Sequence, residues 1–260
     1  MRRVFVLVCL CFAALSVFAQ APPVPAKMTW VRYYQVERGK DADFMRLVNE
    51  AFKPVLEDLR KNNKILDWGV AFPLTRNSDP WTHVLYIAMP DWSGAEALDQ
   101  AIDKAQAAMT PAMAKRTDEL AMAIRQDRDV ILRHLVQSDA MPTMKSKYIM
   151  VDTHKIKRGR EGDALQLFNE WATPMFKDLT AKGHVDFWGF SSQGLAVGVT
   201  DTGEWTHMVW YFLHDLGALE AVIDINAKLE PRVMQGYWVR LGDMSDMSVR
   251  REQVWRIVAP

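Results

Sequence analysis

Histidine is the side chain whose proton affinity lies nearest neutral pH. Two of the six in this chain recur in one triplet, Trp81-Thr82-His83 and Trp205-Thr206-His207. Each triplet runs into an apolar stretch, Val84 to Met89 and Met208 to Leu213, that reads as a strand. Alternation along a strand puts Trp81, His83 and Leu85 on one face, and likewise Trp205, His207 and Val209. An earlier strand in each half offers Arg32 and Tyr34, then Asp152 and His154. If Val31 and Val151 pack against helices, those four polar residues point the other way and join the two imidazoles in a shared interior walled by Trp81 and Trp205. Such a cluster could transfer protons, with His83 or His207 as base, or hold an anionic aromatic ligand through Arg32, Tyr34, Asp152 and His154. The competing expectation is structural: each imidazole bonds to a carbonyl or carboxylate and fixes strand register.

Other groups with chemical capacity are weaker pointers. Asn49-Glu50 and Asn169-Glu170 stand four or five residues ahead of Pro54 and Pro174. Their side chains either steady a loosened helical turn, or Glu50 and Glu170 face a cavity as acids or bases. His83, His207, His154 and Asp152 are metal-ligating types, but they are dispersed and show no His-x-His or His-Glu-x-x-His spacing, so no metal is predicted and no cofactor either. There is no P-loop, no dinucleotide glycine turn, no Gly-x-Ser-x-Gly and no Ser-x-x-Lys. Hydrolase and nucleotide chemistry therefore have no footing.

The elements that must position these residues occur twice. Met28 to Val36 reads as a strand, and Phe44, Val48, Ala51, Val55 and Leu59 form the stripe of an amphipathic helix that Pro54 should kink. Ile65 to Phe72 and the Trp81 stretch are the next strands. Ser93 to about Arg125 is helical with a break at Pro111, and Val130 to Val136 is the fourth strand. The order is β-α-β-β-α-β. A shift of 120 residues then aligns Gly39 with Gly159, Asn49-Glu50 with Asn169-Glu170, Pro54 with Pro174 and Trp68-Gly69 with Trp188-Gly189. Twelve of the forty positions from Val31 to Val70 are identical under that gapless shift, which marks an internal duplication. The expected divisions are a first repeat over 28–136, a linker over 137–146 and a second repeat over 147–260.

The start of the chain reads as an export signal over 1–19: Arg2 and Arg3, an apolar run from Val4 to Phe18, and small residues before a cut after Ala19. Residues 20–27, rich in proline, are a lead-in. Cys9 and Cys11 both fall in the signal, which excludes thiolate chemistry and disulfides from about 240 mature residues. Formal charge is zero overall, so losing Arg2 and Arg3 leaves about two net negative charges, unlike a nucleic-acid binder. The expected location is periplasmic or secreted, with no membrane attachment after cleavage.

A β-α-β-β-α-β unit leaves one sheet face bare, and two units in one chain can close face to face. The tandem units, the proline-kinked first helix, the Trp-Gly of the second strand and the aromatic third strand resemble the dimeric α+β barrel superfamily. That group of ferredoxin-like folds includes antibiotic-biosynthesis monooxygenases, EthD-like proteins and the NIPSNAP group. The resemblance implies an α+β fold of two tandem ferredoxin-like repeats packed sheet to sheet, adjacent parallel first and third strands, a monomer with an internal pseudo-dimer, and ligands between sheet and helices or inside the barrel. It carries over no catalytic residue. Three functions stay open: an exported protein binding a small, largely apolar or aromatic molecule in the barrel interior, a cofactor-independent monooxygenase or isomerase on an aromatic substrate, and a structural or partner-binding module.

Overall fold

The computed structural model describes residues 26–74, 80–138, 146–197, 205–228 and 231–259. The signal over 1–19, most of the lead-in and most of the linker lie outside them. In chain order the elements are β1 (Met28–Val36), α1 (Asp41–Leu47), a π-helical turn (Val48–Phe52), α2 (Lys53–Lys61), β2 (Asp67–Pro73), β3 (His83–Met89), α3 (Trp92–Ala107), α4 (Pro111–Ala121) and β4 (Ile124–Gln137). The second half follows with β5 (Tyr148–Ile156), α5 (Glu161–Leu167), a π-helical turn (Phe168–Ala172), α6 (Thr173–Ala181), β6 (Val185–Val197), β7 (His207–Leu213), α7 (Leu216–Lys228), α8 (Pro231–Met244) and β8 (Ser245–Ala259).

The strands close into one barrel in the order β1-β3-β2-β8-β5-β7-β6-β4. Every pairing is antiparallel, and β2 with β8 and β4 with β6 join the halves. The expected parallel pairing of β1 with β3 is therefore wrong. The α1–α2 crossover returns β2 in the direction of β1, and the β2–β3 hairpin then reverses β3. Register agrees across the halves: Tyr34 lies opposite His83, and His154 opposite His207.

Both prolines are absorbed by a wider turn. Pro54 and Pro174 have no N–H to give the carbonyl four residues back, and just before each the Lys53 and Thr173 amides reach five back, to Val48 and Phe168. The kink is thus a π-helical turn in both halves, and it advances the buried stripe so that Leu56 is buried along with Leu59. The break expected at Pro111 is real, with Thr110 Oγ1 capping α4 by accepting from the Met113 amide (3.3 Å).

Three packed regions result. Two lie between sheet and helices, one under α1–α4 around Phe44, Trp68 and Tyr34, the other under α5–α8 around Phe176, Trp188 and Leu213. The third fills the barrel with strand residues, among them Val31, Tyr86, Val130, Phe187, Met208, Trp210 and Trp255. The expected facing of the first strands is consequently reversed. Val31 and Val151 point into the barrel, while Tyr34 lies under the helices. A sheet covered on both sides has apolar residues on both faces, so alternation cannot tell inside from outside. Trp81 precedes β3, breaks its alternation and packs with the barrel interior instead of sharing the side of His83.

Candidate functional site

The triplets build clasps rather than a cavity. Thr82 Oγ1 accepts the Val36 amide (2.8 Å), lies 3.2 Å from the Tyr34 carbonyl oxygen and 3.1 Å from His83 Nδ1. Thr206 repeats this with the Ile156 amide (2.9 Å), the His154 carbonyl (3.4 Å) and His207 Nδ1 (2.9 Å). Each hydroxyl thus ties the end of β1 or β5 to the neighbouring strand. The imidazoles are buried among aromatic rings, His83 beside Phe44 (centroids 4.6 Å apart) and His207 stacked on Phe190 (5.4 Å).

The expected single polar cluster does not form. Arg32 and Tyr34 serve the first half, and Asp152 and His154 the second. Trp81 and Trp205 meet at one barrel mouth. Glu50 and Glu170 are exposed and face Arg116 (3.4 Å) and Arg240 (2.7 Å), which tie each π-helical turn to α4 or α8. Among the described residues no group of three or more His, Cys, Asp or Glu side chains is placed to hold a metal ion.

What the first half does contain is a cavity of about 210 Å³ between sheet and helices. Trp30, Tyr34, Leu85 and Ile87 form its floor, the π-helical turn and α2 supply Ala51, Phe52 and Val55, and α3 contributes Leu98, Ile102 and Gln106. An apolar cavity of about 150 Å³ takes up benzene, so this space suits a substituted aromatic ring. Its polar features are few. Tyr34 is 2% exposed and its Oη has no hydrogen-bond partner. Burial raises the phenol's pKa despite the neighbouring Arg32, so it remains a donor at ordinary pH. Arg32, whose guanidinium carbon is 5.6 Å from the Tyr34 ring, also lines the cavity. Arg32 Nε donates to Asp127 (3.0 Å) and sits 3.2 Å from Asp129. Burial raises the Asp129 carboxyl's pKa against the pull of Arg32 and of the Trp30 indole N–H.

The matching place in the second half is built differently. Trp171 stands where Ala51 stands, and its ring lies 6.1 Å from Tyr237. Met150 replaces Trp30 and His154 replaces Tyr34. The ion pair is exchanged in sign: Asp152 accepts from Arg250 (2.7 Å) and lies 3.1 Å from His154 Nε2. Arg32 with Asp127 on one side thus answers Asp152 with Arg250 on the other.

Inside the barrel, β4 contributes His134. Its Nε2 lies 2.9 Å from Thr29 Oγ1 and its Nδ1 2.7 Å from Ser191 Oγ, which also accepts from Trp210 Nε1 (2.8 Å). The residual barrel cavity beside this chain is about 80 Å³, too small for a ring. Burial holds the His134 imidazole down to about 4 and, with His154 beside it, the His207 imidazole to about 4. Burial pushes the Asp67 carboxyl up to about 6.

These shifts set an acid limit. Unfolded histidine titrates near 6.5, so between about pH 6.5 and 4 the unfolded chain binds protons that the folded imidazoles refuse, and stability falls as pH falls. Asp67 acts the other way, taking a proton when folded between about pH 6 and 4. Asp129, also raised by burial, adds to Asp67, but the two imidazoles outweigh them and the net change on acidification is a loss of stability. The thermal midpoint should drop on acidification from pH 7 to 4, less so in His207→Gln. A midpoint that is flat or rises would refute the assignment.

No family model matches the chain, and no curated protein matches it. Among solved structures it is similar to a monooxygenase-like protein of Lactobacillus acidophilus NCFM, with TM-score 0.57, 7% identity, and 90% of this chain and 99% of that one covered. A monooxygenase-like protein of Fusobacterium nucleatum gives TM-score 0.56 and 9% identity over 90% of this chain and 93% of that one. An anthrone oxidase-like protein gives TM-score 0.54 and 11% identity over 92% and 94%. At such identities the likeness carries the fold and no activity. With its closed eight-stranded antiparallel sheet and outer helices, the chain has the dimeric α+β barrel fold.

Proposed function

We propose that this protein binds a small, largely apolar, ring-sized molecule in the first-half cavity between helices and sheet. The observation that carries the reading is the Tyr34 hydroxyl, buried without a partner in a cavity of about 210 Å³. A buried donor left unpaired costs about 1–3 kcal/mol, and a ligand with an acceptor oxygen would remove that cost. At the matching place in the second half Trp171 stands in the position of Ala51 and packs beside Tyr237. This accords with a monomer made of two fused ferredoxin-like βαββαβ units whose helix-side linings diverged. Strand orders 4-1-3-2 and 8-5-7-6 support that origin. The amino-terminal signal pattern supports an exported, periplasmic or secreted protein.

The test is titration with 1-naphthol, followed by its fluorescence and by the thermal midpoint. The parent protein should show saturable binding and a raised midpoint, and Tyr34→Phe should bind about five- to tenfold more weakly. Absence of saturable binding would remove the proposal.

A second reading, cofactor-independent oxygenation of an anthrone-like substrate, rests on Arg32 at the cavity with Asp129 3.2 Å from it. Arg32 would hold the substrate anion and Asp129, whose proton affinity is raised by burial, would act as base in place of His83 or His207. Anthrone and dioxygen would give anthraquinone and water. Oxygen uptake with anthrone that disappears in Arg32→Met and Asp129→Asn would support it, and no uptake by the parent would refute it.

A further inference from the structure

Two buried polar groups of the barrel take no part in the helix-side cavity. Asp67 and Tyr86 both line the residual barrel cavity of about 80 Å³. Asp67 pairs in register with Ala88 and Gly69 with Tyr86, so the carboxylate and the phenol are diagonal neighbours on one face of the sheet. Each residue is only 6% exposed, and neither Asp67 Oδ2 nor Tyr86 Oη has a hydrogen-bond partner among the described residues. The other carboxylate oxygen, Oδ1, lies 3.8 Å from Arg60 Nη1, but that guanidinium donates to Glu57 at 2.8 Å. Arg60 and Glu57 thus largely offset each other, and Oδ2 keeps an uncompensated share of charge. A carboxylate oxygen buried without a partner is costly, and a donor that reached it would remove the cost.

The surroundings of this carboxylate select a cation. Burial raises its pKa to about 6 against the pull of the Trp68 amide and Arg60, so at neutral pH it is ionised and can only accept hydrogen bonds. No Lys or Arg is among the described residues lining the cavity, and His134, held down to about 4, is neutral there. The wall is rich in rings, Tyr86, Phe187, Trp210, Phe212 and Trp255, and the faces of such rings attract positive charge. Volume sets the size of the guest. One water takes up about 30 Å³ of liquid, so a space of about 80 Å³ admits two or three non-hydrogen atoms. We propose that the barrel interior binds a small primary ammonium ion of the methylammonium class, its N–H groups donating to Asp67 Oδ2 and Tyr86 Oη and its methyl group against the rings. The site is separate from the helix-side cavity and does not rest on it.

The test is titration of methylammonium chloride into the full mature chain at neutral pH, against sodium chloride at equal ionic strength, read by calorimetry and by the thermal midpoint. Methylammonium should bind saturably and raise the midpoint. Methanol, of the same size without the charge, and butylammonium, too long for the space, should each bind at least about tenfold more weakly. Asp67→Asn keeps the shape and removes the charge, and it should weaken methylammonium by about tenfold or more. This ligand series needs no variant and decides alone if Asp67→Asn does not fold. Ala51→Trp, which fills the helix-side cavity, should leave methylammonium binding intact. The proposal is overturned if methylammonium does not saturate, which would leave ordered water as the partner of both groups. It is overturned equally if methanol or butylammonium binds as tightly, if folded Asp67→Asn binds methylammonium like the parent, or if Ala51→Trp abolishes the binding and so places the ion under the helices.

Discussion

Ala51→Trp should abolish 1-naphthol binding, a loss of at least about a hundredfold, while the protein stays folded. Ala51 sits in the π-helical turn over the first-half cavity and contributes a methyl group to its wall. An indole there has the cavity itself as the apolar space to enter. The second half shows that the backbone accepts this residue, since Trp171 occupies the same place in its own π-helical turn and packs beside Tyr237. Overpacking costs about 1–3 kcal/mol where a core is already full, but here the added ring replaces empty volume. The thermal midpoint without ligand should therefore move little, and the rise on adding 1-naphthol should vanish. If the variant still takes up 1-naphthol with parental affinity, the ligand lies elsewhere and the helix-side site must be given up.

The sites were only partly legible in the chain. Spacing carried the order of helices and strands along the chain and the proline-disturbed helix, because those depend on residues near one another in sequence. Tyr34 faces His83 and His154 faces His207 across antiparallel strands, where the resemblance implies parallel ones. Which face those residues occupy did not follow. Val31 and Tyr34 are both buried, one in the barrel and one under the helices, so hydrophobicity gave no preference. His134 was missed because its partners come from elsewhere in the chain: Thr29 is 105 residues away and Ser191 is 57 away. The cavity had one readable trace. Under the 120-residue shift Ala51 meets Trp171, a small residue against the largest, at a position where both halves share their neighbours Asn and Glu. That contrast marks where the linings of the two copies diverge, as the exchange of Arg32 for Asp152 marks a pair that changed sign together.

The largest effect on stability is expected at Gly189. Gly189→Ala should cost about 3 kcal/mol and lower the thermal midpoint by about 10 °C for a chain of this size. Gly189 lies opposite Trp210 in register, so the missing side chain leaves the indole room to lie across the backbone. A Cβ built on Gly189 would meet Trp210 Cζ2 at 2.4 Å, Trp210 Cε2 at 2.8 Å and the Val136 carbonyl oxygen at 2.9 Å. Real carbon contacts do not approach so closely, and the carbonyl belongs to a strand that cannot retreat without breaking the seam between β4 and β6. The indole must move instead. Space exists for it in the small barrel cavity that Trp210 lines. Moving there separates Trp210 Nε1 from Ser191 Oγ, which in turn supports His134, so the displacement leaves buried polar groups short of partners. In the first half Gly69 stands opposite Tyr86 at the equivalent register. Gly162→Ala supplies the control, since nothing lies within 4 Å of its added methyl group and it sits inside α5, where alanine is the better helix former. That variant should match or slightly exceed the parent midpoint. Gly189→Ala melting within 2 °C of the parent, with unchanged near-ultraviolet circular dichroism, would show that the barrel interior yields more easily than a closely packed aromatic core should.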